Sequence, residues 1–199
     1  MLTQLSTVKS RLQILDTDTT YDALLTSAIQ AISARFDKEA NRTLARTENA
    51  THEFDADTTE ILAPCHPIES VSKFELKSSE AAGWQELTPI PDYLIRSSCI
   101  ISLAEPLNLQ PSTFNLQLAR VTYTGGYVLP GTDPDPGQTP LPPDLENAAV
   151  EQVAYWFQTR NNIGLKTIWP RDGSYQQFLA QPLLPDVKAI LQCHTRWII

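Results

Sequence analysis

Apolar residues recur at helical spacing at both ends of this chain and at strand spacing between them. Leu5, Val8, Leu12 and Leu15 fall three or four residues apart, with Thr3 placed to cap the helix they predict. Asp16-Thr17-Asp18-Thr19-Thr20 interrupts that pattern with side chains suited to turns and helix caps. A longer helix follows over about Thr20 to Ala40, its stripe made of Tyr21, Leu24, Leu25, Ala28, Ile29, Ile32 and Phe36, with Asn41 as its stop. Two amphipathic helices across a short polar turn predict an antiparallel hairpin.

The period changes near Thr47. Short alternating or β-branched segments follow at Thr59 to Ala63, Ser70 to Leu76, Trp84 to Thr88, Cys99 to Leu103 and Leu116 to Tyr123. Pro64, Pro67, Gly83, Pro89, Pro91, Pro106 and Pro111 punctuate them, and Gly125-Gly126 closes the last, which predicts a small antiparallel sheet or barrel. Gly131 to Pro143 holds five prolines and reads as a surface loop. Helical spacing returns at Pro143 to Arg160, where Pro143 and the acids Asp144 and Glu146 suit a first turn. Leu145, Ala148, Ala149, Val153, Trp156 and Phe157 form its stripe, and Asn161-Asn162 ends it. Ile163 to Pro182 is mixed and aromatic, with Trp169, Tyr175 and Phe178, and a short helix begins near Pro185 with Val187, Ile190 and Leu191. The expectation is an α+β chain. Residues 1–46 and 143–199 form a small antiparallel helical bundle, and residues 47–142 are a β-rich insertion between helices two and three, ending in the proline-rich loop.

Charge sharpens this division. Lys and Arg against Asp and Glu number six to five in residues 1–46, four to fourteen in residues 47–144, and five to four in residues 145–199. Nearly all of the net −8 therefore sits in the β-rich middle. Tight phosphate binding needs clustered cations, which this pattern excludes. No apolar run reaches the ~20 residues that span a bilayer, and the N-terminal stretch carries Lys9 and Arg11 without an apolar signal core. Folding in a cytoplasm is expected. Cys65, Cys99 and Cys193 are odd in number and far apart, which is no disulfide framework.

Little in the chain advertises chemistry. Cys65-His66 and Cys193-His194 are adjacent pairs without zinc-site spacing, and each reads as a buried cysteine beside a partly exposed histidine. His52 reads as a surface residue. Gly125-Gly126 is not followed by Lys and Ser or Thr, so it is a turn and not a phosphate cradle. Glu53, Asp55, Asp57 and Glu60 lack calcium-loop spacing and read as a solvated acidic edge. No catalytic, cofactor-binding or metal-binding residue is predicted, and no cofactor. Arg196-Trp197-Ile198-Ile199 is the most suggestive segment, because exposed chain ends are usually polar. It packs back on the chain's own bundle or anchors a partner, as Trp and Arg do at interface hot spots.

The order of these pieces resembles the head-tail connector (adaptor) family of tailed bacteriophages. Leu5-Ser6-Thr7-Val8-Lys9 with Leu12, then Asp22-Ala23-Leu24-Leu25 and Ile29-Gln30-Ala31, are similar to its opening hairpin. Val121-Thr122-Tyr123-Thr124-Gly125-Gly126-Tyr127 and Pro142-Pro143-Asp144-Leu145 resemble its approach to helix three, and Leu184-Pro185-Asp186-Val187 with Ile190-Leu191 its closing helix. Together they cover roughly half the chain; the long β-rich middle departs from compact members. The resemblance implies a non-enzymatic virion subunit, made in the host cytoplasm and placed at the head-tail junction. It implies a homo-oligomeric ring, commonly of twelve copies, between the portal protein and a stopper or tail-completion protein. Double-stranded DNA passes through such a ring without specific binding, no membrane is involved, and Arg196, Trp197, Ile198 and Ile199 become candidates for portal contact. Two other readings stay open: a carbohydrate-binding or fibre-type β module, and a hydrolase whose pocket the sequence does not reveal.

Overall fold

The computed structural model describes residues 1–107, 117–162, 167–168, 176–177 and 183–196. They separate into two compact units, Met1–Ala40 with Leu141–Thr195, and Asn41–Pro140 with Arg196. The α+β class holds, but the sheet-rich part is a unit with its own core, so the chain as a whole is not a small helical bundle.

The first unit contains α1 (Leu5–Leu12), α2 (Asp22–Glu39), α3 (Pro143–Thr159) and α4 (Pro185–Cys193). Its α1 ends in a left-handed Gln13 (φ 58°), whose amide bonds Ser10 O while Ile14 N bonds Lys9 O. Thr3 does not cap it. Gln4 occupies the cap position without a side-chain bond, and the Thr3 hydroxyl is buried. The stripe of α2 narrows to Leu25, Ala28, Ile29, Ile32 and Phe36, because Leu24 rotates to the surface. Leu15, expected on the α1 stripe, lies beyond the helix end and is 75% exposed. α3 packs on α1, α2 and α4 through Leu145, Ala148, Ala149, Val153 and Phe157. Phe157 meets the Tyr21 ring edge-on at 5.1 Å. Lys9, only 3% exposed, pairs with Asp22 at 2.7 Å and donates to the Asp16 carbonyl at 3.0 Å, so its buried polar end is not left without partners. Among the described residues no helix is long and apolar enough to cross a membrane.

The second unit contains β1 (Thr47–Asp55), β2 (Glu60–Leu62), β3 (Ile68–Lys77), β4 (Gln85–Glu86), β5 (Tyr93–Arg96), β6 (Ile100–Leu103), β7 (Leu118–Gly125), β8 (Tyr127–Val128) and β9 (Thr139–Pro140). The order β1-β7-β3-β4 makes one antiparallel sheet and β2-β6-β5 another; β8 and β9 pair in parallel. Ile61 and Ile101 from the smaller sheet, with Ala63 just beyond β2, share one core with Phe74, Ala119, Val121 and Tyr123 from the larger. Period-two alternation explains which faces are buried: Ala119, Val121 and Tyr123 point inward from β7 while Leu118 and Arg120 point outward.

Candidate interaction site

The two sheets share a core but leave one side of it open. β1 and β2 are each end strands, and between them lies a cleft of about 260 Å³. The alternation of β1 turns His52 and Phe54 toward it, and β2 contributes Glu60, Ile61 and Leu62, with Ile100 beside them. Arg196 completes the lining. Its guanidinium donates to the Leu62 carbonyl at 2.6 Å, and its own carbonyl accepts from Asn41 Nδ2 at 3.3 Å. Asn41 itself is left-handed (φ 51°), the conformation that stops α2 and turns the chain into the β unit.

Charge in this cleft is shaped by burial. His52 is half-buried, not a surface residue, and desolvation lowers its pKa below the ordinary imidazole value, with the positive charge of Arg196 acting in the same direction. Tyr123 lies behind it in the core, and desolvation pushes its phenol up to about 12 while its hydroxyl accepts the Cys65 amide at 2.9 Å. Glu60, on the rim, is held by Arg96 at 2.5 Å. Among the described residues, such a cleft offers an apolar floor, a positively charged edge and the outer edges of two end strands.

A second feature stands where β7 turns. Leu44 to Arg46, Cys65 to Ile68 and Gly125 to Tyr127 cross there backbone against backbone. Tyr127 N bonds Leu44 O, Arg46 N bonds Tyr127 O and Gly126 N bonds Pro67 O, each at 2.8 Å. A Cβ on Gly125 would lie 2.6 Å from Cys65 O and 2.7 Å from Pro67 O. Gly126 adds φ 101° to a similar crowding against Ala45 O. The pair is a turn, as its sequence indicates, but the reason is this crossing. Arg42 is buried beside it, donating to His66 O and lying 5.2 Å from the centre of the Tyr127 ring.

The other sequence candidates separate. Cys65 is buried and bonded to Gly125 O at 3.1 Å, with His66 half-buried. Cys193 is exposed instead of buried, while His194 next to it joins Asp144 at 3.0 Å across α4 and α3. Glu53 and Asp55 stand on the outer face of β1. No three His, Cys, Asp or Glu side chains among the described residues are grouped to hold a metal ion. Trp197, Ile198 and Ile199 lie outside the described residues, as do Trp169, Tyr175 and Phe178. β5 is an apolar end strand that the sequence did not reveal, with Leu94 71% exposed.

No protein-family model matches this sequence, and no curated protein matches it. Solved structures do. A chain from the neck of an empty gene transfer agent (GTA) particle, computed with C6 symmetry, matches with a TM-score of 0.57 and 14% identity, over 98% of this chain and 89% of that one. A chain from the neck of the native GTA particle, computed with C12 symmetry, gives 0.53 and 14%, over 89% and 84%. A chain from the virion of the native gene transfer agent particle gives 0.56 and 15%, over 98% and 89%. The likeness is one of fold.

Proposed function

We propose that this chain is a non-enzymatic structural subunit of the neck of a tailed-phage-like particle, a ring that extends the DNA channel and joins the filled head to the tail. The observation that supports it most is the extent of the fold likeness, 98% of this chain against 89% of a neck chain, which takes in both units. The C6 and C12 symmetries of those necks favour a ring here too, of twelve copies, between a portal and a stopper. We read the helical unit as the connector bundle and the β unit as an insertion between its second and third helices.

The charges suit a channel wall. Lys73, Lys77, Arg96 and Arg120 are the four cations of residues 47–144, and each lies against a carboxylate: Glu75 at 3.2 Å, Glu80 at 2.7 Å, Glu60 at 2.5 Å and Glu75 at 2.9 Å. With each of these four cations against a carboxylate and fourteen acids in the same segment, residues 47–144 present duplex DNA with a net negative surface, along which it slides without sticking. The test is assembly. Light scattering and negative-stain electron microscopy, with and without the portal ring of the same particle, should show monomers alone at micromolar concentration. Rings should form on the portal or at high concentration, because a template raises the local concentration of a like-charged subunit. A chain that stays monomeric at every concentration and ignores the portal overturns the reading.

A further inference from the structure

We infer that neighbouring copies of this chain join through their β units, the β5 edge of one lying beside the β1–β2 cleft of the next. That the neighbour is a second copy rests on the neck reading; which surfaces meet is read from the β unit itself. β1 and β2 line the cleft on one side of the unit. On the opposite side β5 lies over β3, with the Tyr93 and Phe74 rings 6.0 Å apart. β5 is the end strand of its sheet, paired with β6 alone. Of the seven large apolar side chains exposed among the described residues, Ile90, Leu94 and Ile95 fall on this strand or just before it. Ile95 faces the core, level with the fully buried Ile101, yet it is 37% exposed because its strand is the last of the sheet. Edges that stay bare in a monomer are guarded by charge, proline or a bulge. Tyr93 to Ile95 carries no charge or proline and pairs in regular register.

Geometry and charge select a head-to-tail contact. β5 against β5 would close a dimer, whereas two unlike surfaces on opposite sides of one unit repeat from copy to copy and close a ring. β2 and β5 both run antiparallel to β6, so they are parallel to each other. A ring step that turns each copy only slightly therefore sets β5 parallel to the next β2, extending the sheet by strand addition. Leu94 and Ile95 then meet Phe54, Leu62 and Ile100 of the cleft. Residues 47–60 hold five acids and no Lys or Arg, and β5 brings them the cation of Arg96, 59% exposed. The bond of Arg96 to Glu60 in its own chain is an exposed pair that holds it loosely.

The experiment uses the full chain with Cys99 and Cys193 replaced by Ser, carrying Leu94→Cys, Glu60→Cys or both, oxidised at high concentration and on the portal ring. Within one chain these two positions flank Ser102 of β6, about 9.5 Å apart and too far to bridge. The double variant should give a ladder of covalent multimers, and each single variant should stay monomeric. Leu94→Glu, made in the otherwise unaltered chain, should raise the concentration at which rings form about tenfold. Melting of the monomer should barely change, because Leu94 is already 71% exposed. Covalent dimers from Leu94→Cys alone, rings that form without a ladder, or rings indifferent to Leu94→Glu would each overturn the inference and leave the neck reading standing. Electron microscopy that finds no ring under either condition overturns both.

Discussion

Replacing Tyr123 with phenylalanine isolates one hydrogen bond at the centre of the β unit. The ring is fully buried, and its hydroxyl accepts the Cys65 amide at 2.9 Å. Phenylalanine keeps the packing and strands that amide, a loss of about 1–3 kcal/mol. For a chain of this length each kcal/mol moves the midpoint by about 2–4 °C, so a fall of roughly 3–10 °C is expected at neutral pH. A second signature comes from ionisation. Burial raises the phenol from 10 to about 12 in the folded state, so the folded chain holds its proton where the unfolded chain gives it up. The tyrosine's contribution is therefore complete below about pH 10 and is lost as pH rises toward 12; the full gap is worth on the order of 3 kcal/mol. Urea unfolding of both proteins from neutral pH to about pH 11.5 should show the penalty of Tyr123→Phe shrinking above about pH 10. A penalty that stays constant across that range would refute the buried, hydrogen-bonded phenol.

Gly125→Ala should cost about 3–5 kcal/mol, because the new Cβ meets two backbone carbonyls that cannot yield, whereas Gly83→Ala, with open space and only φ +65° against it, should cost about 1–2 kcal/mol; urea midpoints compare them. His52 has its pKa lowered in the fold, so its contribution is complete above the unfolded value of about 6.5 and is lost as pH falls through the folded value. His52→Gln should flatten the fall in melting temperature between about pH 7 and pH 5, and an unchanged slope would remove His52 as its source. Lys9→Met breaks the ion pair with Asp22, which keeps 29% exposure and can rehydrate, so the expected cost is about 1–3 kcal/mol. The double change Lys9→Met, Asp22→Leu should recover most of it in the same melting assay.

The helices were legible because Leu25, Ile29, Ile32 and Phe36, or Leu145, Ala149 and Val153, repeat at a period that only a helix can bury on one side. β1 was not, since Thr-Glu-Asn-Ala-Thr-His-Glu-Phe-Asp offers Ala50, His52 and Phe54 as its inward positions, and a histidine does not read as core. Its depressed pKa is a property of the cleft that no local pattern carries. The role of Arg196 was equally hidden, because its bond partner Leu62 is 134 residues away and a main-chain carbonyl leaves no trace in sequence. Gly125-Gly126 was visible as a turn, yet the crossing that makes glycine necessary depends on Ala45, Cys65 and Pro67 arriving from elsewhere.

The helical unit is assembled from the two ends of the chain, and that fixes an order of events on the ribosome. Arg11 meets Glu151 across 140 residues, and Tyr21 waits for Phe157. At elongation rates of about 5–20 residues per second, α1 and α2 emerge roughly 5–25 s before α3 can cover them. During that interval Leu25, Ile29 and Phe36 have no lasting cover, while Asn41–Pro140 can already close its own core. The growing chain thus carries an uncovered hairpin ahead of a finished β unit, and a nascent-chain chaperone would find its target within the first forty residues.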